Sequence, residues 1–305
     1  VVNKKSYLIC APHYDRRSSG IKALYLLCGE LNDLGYTAYI TGDSRDCGYN
    51  TKSIFSLNKD QLKDIQLNGV VIYPDNIING NPLRFTNVVR WFLGITCITP
   101  KHELVFSMSP SHNFFVRAPY NLMILRVESY FKLPEVENRT KKCFRVGKGS
   151  AIPRLSVTDG CIEITADYPS NRRELAKLLQ ECEVMYTYDN FTFLITEALL
   201  CGCPVVILGH PITAKENLKN NILFKYGAGF IDDPDLDIKK LKEEIPLQIE
   251  LWNQLMNNSK KELLEFITLT QNMNNEYVED LGSPEPHPWI ALGFWSDFFS
   301  LFKER

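Results

Sequence analysis

Short apolar runs alternate with stretches of helical period from the start of the chain, and this alternation limits the fold more than any other feature. Tyr7-Leu8-Ile9-Cys10-Ala11 has the length and character of a buried strand, closed by Pro12 and a polar loop through Gly20. Ile21, Leu24, Tyr25, Leu27, Cys28, Leu31 and Leu34 then recur at helical spacing until Gly35 stops the pattern. A second β-prone run covers 37–40. A polar helix near 59–67 precedes a third run at 69–73, and further strands are expected at 104–107 and 121–126. Strands alternating with helices build parallel βαβ units, so the fold class is α/β.

The polar stretch Pro-Glu-Val-Glu-Asn-Arg-Thr-Lys-Lys at 134–142 is the best linker, and beyond it the alternation restarts. Strands are expected at 143–146, 161–165, 184–187, 204–208 and 227–231, with helices at 172–182 and 191–201. Residues 237–280 are charged and helical and end in a Pro-rich turn, Ser283 to Pro288. The expectation is a first α/β domain over 1–135, a second over 136–285 and a terminal helix over 286–305 that packs back on the first domain. A chain of 305 residues suits two domains.

Charge narrows the function. Lys plus Arg number 34 and Asp plus Glu 36, a formal net charge of −2, so the chain has no basic field to wrap nucleic acid. The nine cysteines (10, 28, 47, 97, 143, 161, 182, 201 and 203) are odd in number and scattered through apolar segments, which reads as packing in a reducing cytosol rather than a disulfide framework. Cys201 and Cys203 have no His or Cys cluster nearby in sequence to complete a zinc site. No apolar stretch approaches a membrane span and no signal peptide opens the sequence, so a cytoplasmic protein is expected. The first residue is Val rather than Met, which is compatible with a piece of a longer polypeptide.

In open parallel sheets ligands bind outside the carboxyl ends of the strands, so the loops after those ends should hold the chemistry. The first such loop, Pro12 to Gly20, is not G-x-G-x-x-G, and no G-x-x-x-x-G-K-[ST] loop occurs, which disfavours hydride transfer and nucleotide hydrolysis. Ser18, Ser19 and Gly20 open a helix. They read either as a plain N-cap by Ser18 or Ser19 or as donors to an anion. His13 is a candidate donor to a substrate oxygen. Asp189 ends a strand and Glu197 follows two helical turns later on much the same side. One reading makes Asp189 an N-cap and Glu197 a solvated residue. The other notes that Glu197 sits among Phe193, Leu194, Ile195, Ala198 and Leu199, where a carboxylate needs a partner such as a ribose diol.

The segment Asp189-Asn-Phe-Thr-Phe-Leu-Ile-Thr-Glu-Ala198, followed by Gly202-Cys-Pro-Val-Val206, resembles the carboxylate–seven residues–carboxylate element of retaining glycosyltransferases with the GT-B fold. Asp189 stands where that clan more often has Glu, and Thr192 where it often has Gly. Arg145-Val-Gly-Lys-Gly149 resembles the strand-end basic element facing the donor diphosphate, with Lys148 the residue carried over. Tyr168 to Leu175 resembles the helix before the donor-site strand. Tyr73-Pro-Asp-Asn and Val88-Val-Arg-Trp-Phe-Leu93 resemble a Pro-rich turn and an Arg-Trp helix of the first domain.

The resemblance implies two facing Rossmann-like domains with a donor cleft between them. It implies transfer of a sugar from a nucleotide sugar to a glycan or lipid-linked acceptor, with retention, without a metal ion and without a cofactor. His13, Lys148 and Asp189 are the implied catalytic residues. Ser19, Gly20, Gly147, Lys148, Asn190, Phe191, Thr192 and Glu197 are the implied donor-binding set, with His102 and His112 as further histidines to consider. Bacterial glycan or polysaccharide assembly, at the inner membrane surface or in the cytoplasm, is the implied setting. A nucleotide-sugar epimerase of the same fold and a catalytically silent sugar-nucleotide-binding protein remain as alternatives. The aromatic segment 289–302 is expected to pack back on the first domain, with peripheral membrane association as its rival.

Overall fold

The structure is a computed structural model that describes residues 4–75, 77, 80–94, 104–108, 118–136, 138–209 and 215–274. The expected helix at 286–305, His102, His112 and Cys97 lie outside the described residues. The chain forms two compact units. The described residues before Arg126 belong to one unit, together with those from Asn258 on, and Arg126–Asn257 form the other.

In the first unit seven parallel strands lie in the order β3-β2-β1-β4-β5-β6-β7. They are β1 (Tyr7–Ile9), β2 (Ala38–Ile40), β3 (Lys52–Ser53), β4 (Val70–Pro74), β5 (Asn87–Phe92), β6 (Leu104–Ser107) and β7 (Tyr120–Asn121). Strand side chains point alternately to the two faces, and both faces are covered. Tyr7 and Ile9 enter a cluster with Ala23, Leu24, Leu27, Cys28 and Leu31 of helix α1 (Ser19–Asp33). Leu8 and Cys10 enter another with Ile65 of α2 (Lys59–Asn68). Ser18 caps α1 by accepting from the Ile21 N–H, which decides between the two serines. Gly35 stops the helix with φ of +77°, a conformation that glycine adopts without Cβ strain.

The stretch expected as an Arg-Trp helix is instead strand β5. All six of its residues are buried. Val89 and Trp91 pack on one face and Val88 on the other, so the segment has no polar side to offer water as a surface helix would. Arg90 is the unexpected member. Its guanidinium donates to the carbonyls of Ile77 and Gly80 and lies over the Tyr73 ring, 4.8 Å from its centroid.

The second unit repeats the plan with five parallel strands in the order β12-β11-β10-β8-β9. They are β8 (Lys141–Arg145), β9 (Ile162–Ile164), β10 (Cys182–Thr187), β11 (Val205–Ile207) and β12 (Ala228–Phe230). Cys143, Met185, Val205 and Ile207 face α3 (Arg172–Glu181) and α4 (Leu194–Leu200). Phe144, Val184, Tyr186 and Val206 form the opposite layer with Leu241. Short α5 (Lys215–Lys219) precedes β12. The units divide ahead of the polar stretch at 134–142, because Val127, Tyr130 and Phe131 already pack into the second core.

Helix α6 (Ile238–Gln271) carries the chain from the second unit into the first. Its early residue Ile245 packs in the second core, while Leu263, Phe266 and Ile267 pack in the first. Helix α6 thus returns the chain to the first unit, while the packing expected of 286–305 lies outside the described residues. Near its end Tyr7 Oη is 2.8 Å from Thr270 Oγ1, and Gln271 bonds the Lys5 backbone at 2.9 and 3.0 Å. Eight described cysteines are free and, except for half-buried Cys161, buried. No helix of the described residues is long and apolar enough to cross a membrane.

Candidate functional site

Chain order fixes where ligands can enter. In the second unit β9 lies on one side of β8, and β10, β11 and β12 lie on the other, so the order reverses between β8 and β10. In doubly wound sheets the carboxyl edge at such a point leaves a crevice. The loops after β8 and β10 carry Gly147, Lys148, Asp189, Asn190, Phe191 and Thr192. The structure therefore brings these six second-domain candidates to one edge, while Glu197 lies within α4.

Asp189 joins these loops. Its buried carboxylate accepts from the Lys148 N–H through Oδ2 and from the Phe191 N–H through Oδ1, both at 3.2 Å. The strand end is closed by Thr187, whose hydroxyl donates to the Asp189 carbonyl at 3.0 Å and accepts its N–H at 3.1 Å. Gly147 is required where it stands. Its φ is +53°, and a Cβ there would lie 2.5 Å from Asp189 Oδ2. The Asn190 side chain donates to the Gly209 carbonyl after β11 at 3.1 Å, which adds a third strand end.

Asp189 is not a helix cap. Helix α4 begins at Leu194 with Phe193 as its N-cap residue, three residues later than expected, and the Phe191 N–H is already committed to Asp189. Among the described residues the backbone N–H groups of Asn190, Thr192 and Phe193 have no acceptor. The Lys148 side chain is exposed on the neighbouring loop, and its ammonium has no ion pair among the described residues.

Glu197 is 3% exposed, so it is not a solvated residue. Its partner is Arg172, at the start of α3, whose guanidinium donates to both carboxylate oxygens, to Oε2 at 2.9 Å. Arg172 also donates to Glu128 at 3.1 and 3.4 Å and stacks on Phe131 at 4.5 Å. Burial works against the Arg172 charge. The hydrogen bonds and charge of Glu197, then of Glu128, outweigh that burial and hold the guanidinium above its ordinary value. The carboxylate expected to take a ribose diol is thus engaged from inside the protein.

The first unit has its own reversal, between β1 and β4. His13, Ser19 and Gly20 follow β1 there. His13 is exposed, and its Nδ1 accepts from the Asp43 N–H at 3.0 Å. Ser19 and Gly20 form the first turn of α1, and a Cβ on Gly20 would meet Leu93 in ordinary contact at 3.7 Å. These three residues and the second-unit set belong to different units.

Asp232 and Asp233, just after β12, pair with Lys215 at 2.7 and 2.9 Å. Among the described residues no group of three His, Cys, Asp or Glu side chains comes together as a metal site.

No protein-family model and no curated protein matches the chain. Solved structures similar to it include the glycotransferase of kitacinnamycin, with a TM-score of 0.49 and 12% identity over 87% of this chain and 98% of that one. WaaG, a glycosyltransferase involved in lipopolysaccharide biosynthesis, gives 0.47 and 10% over 88% and 100%. MurG of Acinetobacter baumannii gives 0.43 and 10% over the same shares.

Two groups at these edges escape sequence reasoning. Arg172 lies 25 residues from Glu197, and only the folding of α3 against α4 joins them. Tyr25 reads as one more apolar position of α1, yet its hydroxyl stands 2.8 Å from the carbonyls of both Pro12 and Asp43. A buried phenol in a helical stripe needs a polar partner, and that requirement is the signal that could have marked it.

Proposed function

We propose that the chain is a glycosyltransferase of the GT-B type that uses a nucleotide sugar as donor. One observation carries this reading. At the carboxyl edge where strand order reverses, the unaccepted N–H groups of Asn190, Thr192 and Phe193 lie on the loop that Asp189 ties to the loop of Lys148. Backbone donors and an ammonium at such an edge suit an anion, and a nucleoside diphosphate gains charge as the glycosidic bond breaks. The resemblance of the 189–206 segment to the donor element of these enzymes supports the same reading.

In this proposal Lys148 and the loop donors stabilise the departing diphosphate without a metal ion. Asp189 holds the two loops in register, Gly147 gives it room, and Phe191 packs the loop to the core. Glu197 anchors Arg172. The anomeric carbon becomes oxocarbenium-like as its bond to the diphosphate breaks. The acceptor hydroxyl forms the new bond on the face the diphosphate leaves, and the departing phosphate oxygen takes the hydroxyl proton. Attack on that same face retains configuration. His13 is assigned as a donor to substrate, and Ser19 and Gly20 as part of the turn beside it. The acceptor is a glycan or a lipid-linked glycan. A silent sugar-nucleotide-binding protein is the second reading, favoured by the internal engagement of Glu197 with Arg172.

A thermal-shift screen over nucleotide sugars tests the proposal, because a ligand at 100 times its Kd stabilises by about 2.7 kcal/mol. One donor should raise Tm, and Lys148→Ala should weaken its binding about tenfold or more. Product analysis by NMR should show sugar on an acceptor in the presence of a chelator. Binding with neither transfer nor donor hydrolysis supports the silent protein, and isomerised donor without acceptor supports an epimerase. Stabilisation by no nucleotide sugar overturns the proposal.

A further inference from the structure

We propose that Tyr25 is the positioning residue for His13, fixing the backbone on both sides of the imidazole so that Nδ1 is held as an acceptor and the ring proton resides on Nε2. The catalytic part of this inference rests on the proposed function, in which His13 donates to substrate. The structural part does not.

The helical stripe of α1 needs only apolar side chains toward the sheet, and Leu24, Leu27 and Leu31 supply them. Tyr25 is fully buried in the same helix, and its hydroxyl reaches the carbonyl of Pro12, directly before His13, and that of Asp43, each at 2.8 Å. Burial raises the phenol well above its ordinary ionisation range, so the hydroxyl stays a donor, sharing one hydrogen between two carbonyls. The same Asp43 carbonyl accepts from the Tyr14 N–H at 3.0 Å, and the Tyr14 ring meets Tyr25 edge-on at 5.1 Å.

The approach of the two loops is close. A Cβ on Gly42 would lie 2.0 Å from the Pro12 carbonyl oxygen and 2.2 Å from Tyr25 Oη. Thr41 holds the strand ends independently, exchanging bonds of 2.8 Å with the N–H and carbonyl of Ala11. What Tyr25 adds acts on the residue before His13 and on the residue whose N–H binds its ring. An amide N–H only donates, so the Asp43 bond at 3.0 Å requires a lone pair on Nδ1.

Tyr25→Phe keeps the ring and removes the pin. In protein labelled with 15N-histidine and held where the imidazole is neutral, His13 should show a pyridine-like Nδ1 and a pyrrole-like Nε2. In Tyr25→Phe both signals should move toward the average of the two tautomers. With a nucleotide-sugar donor, kcat should fall about tenfold at unchanged donor KM, as a slightly misplaced catalytic group does. In a His13→Ala background the same change should leave kcat unaltered, a coupling that a purely structural role would not produce. Unchanged His13 signals in Tyr25→Phe overturn the inference, as does an equal loss of kcat in the His13→Ala background. Should the variant not fold, the native spectrum decides, because a pyrrole-like Nδ1 is incompatible with the pin. If no nucleotide sugar is turned over, the functional proposal fails while the imidazole spectrum still judges the pin.

Discussion

Both units are parallel sheets whose strand order reverses beside their first strand, but they tie the loop after that strand in opposite directions. In the first unit the loop after β1 is joined to the loop after β2, away from the point where the order reverses, through Tyr25, Thr41 and the Asp43 N–H. In the second the loop after β8 is joined to the loop after β10, across that point, by the carboxylate of Asp189. Hydroxyls and an imidazole do the joining in one unit, and a buried charge does it in the other. The difference divides labour. A carboxylate on two backbone N–H groups makes two loops into one body beside Lys148, whereas the first unit fixes a single histidine-bearing loop.

That contrast predicts unequal sensitivity to substitution. Arg172→Ala should have the largest effect, because it strands Glu197, whose side chain is only 4% exposed. Removing one partner of a buried pair costs about 3–5 kcal/mol, and the partial exposure of Arg172 places the expected loss near the lower figure, about 3 kcal/mol by chemical denaturation. Pairing the change with Glu197→Gln should recover part of it. A loss below about 1 kcal/mol would show that the ion pair does not hold α3 to α4.

Asp189→Ala should cost less, about 1–3 kcal/mol, since it leaves two backbone N–H groups without their acceptor. Its more telling effect is spatial. Hydrogen exchange should quicken together at 147–149 and 190–193 and stay unchanged at 11–14. Gly42→Ala should do the reverse, loosening 11–14 and 41–43 only, because its Cβ meets the Pro12 carbonyl oxygen. Exchange that spreads across both units in either variant would erase the comparison.

The smallest expected effect is a titration. Hydrogen bonds from Arg45 hold the exposed Asp43 carboxyl at about 2, below its ordinary 3.8. A depressed carboxyl contributes stability above its unfolded value and loses it as pH falls through the folded one. The Asp43 loop should therefore keep its charge from neutral pH down to about pH 2, with the contribution fading between 3.8 and about 2. Carbon-detected NMR of the carboxyl should show this, and Arg45→Ala should return the midpoint toward 3.8.

Much of the fold was legible because buried parallel strands are written as unbroken apolar runs, as at Tyr7 to Cys10 and Val205 to Ile207. Strand β5 was not, since a buried arginine inside Val-Val-Arg-Trp-Phe breaks the apolar run and hides its alternation. Strands β3 and β7, two residues each, are too short to leave any period. At the site, position was legible and partnership was not. Asp189, Gly147 and Lys148 fall at strand ends that sequence marks, but the engagement of Glu197 by Arg172 and of Pro12 by Tyr25 arises only when separate helices and loops meet. The division of the units is illegible for the same reason, because Val127 and Phe131 pack in the second core ahead of the polar stretch at 134–142.

The central claim is that the loop after β10 receives a nucleoside diphosphate. Amide NMR of the intact chain, titrated separately with UDP, GDP, ADP and dTDP, tests it most directly. One of the four should bind and shift the Asn190, Thr192 and Phe193 amides strongly, with Lys148→Ala weakening the titration about tenfold or more. Binding that leaves those three amides unmoved, or no binding by any of the four, would contradict it.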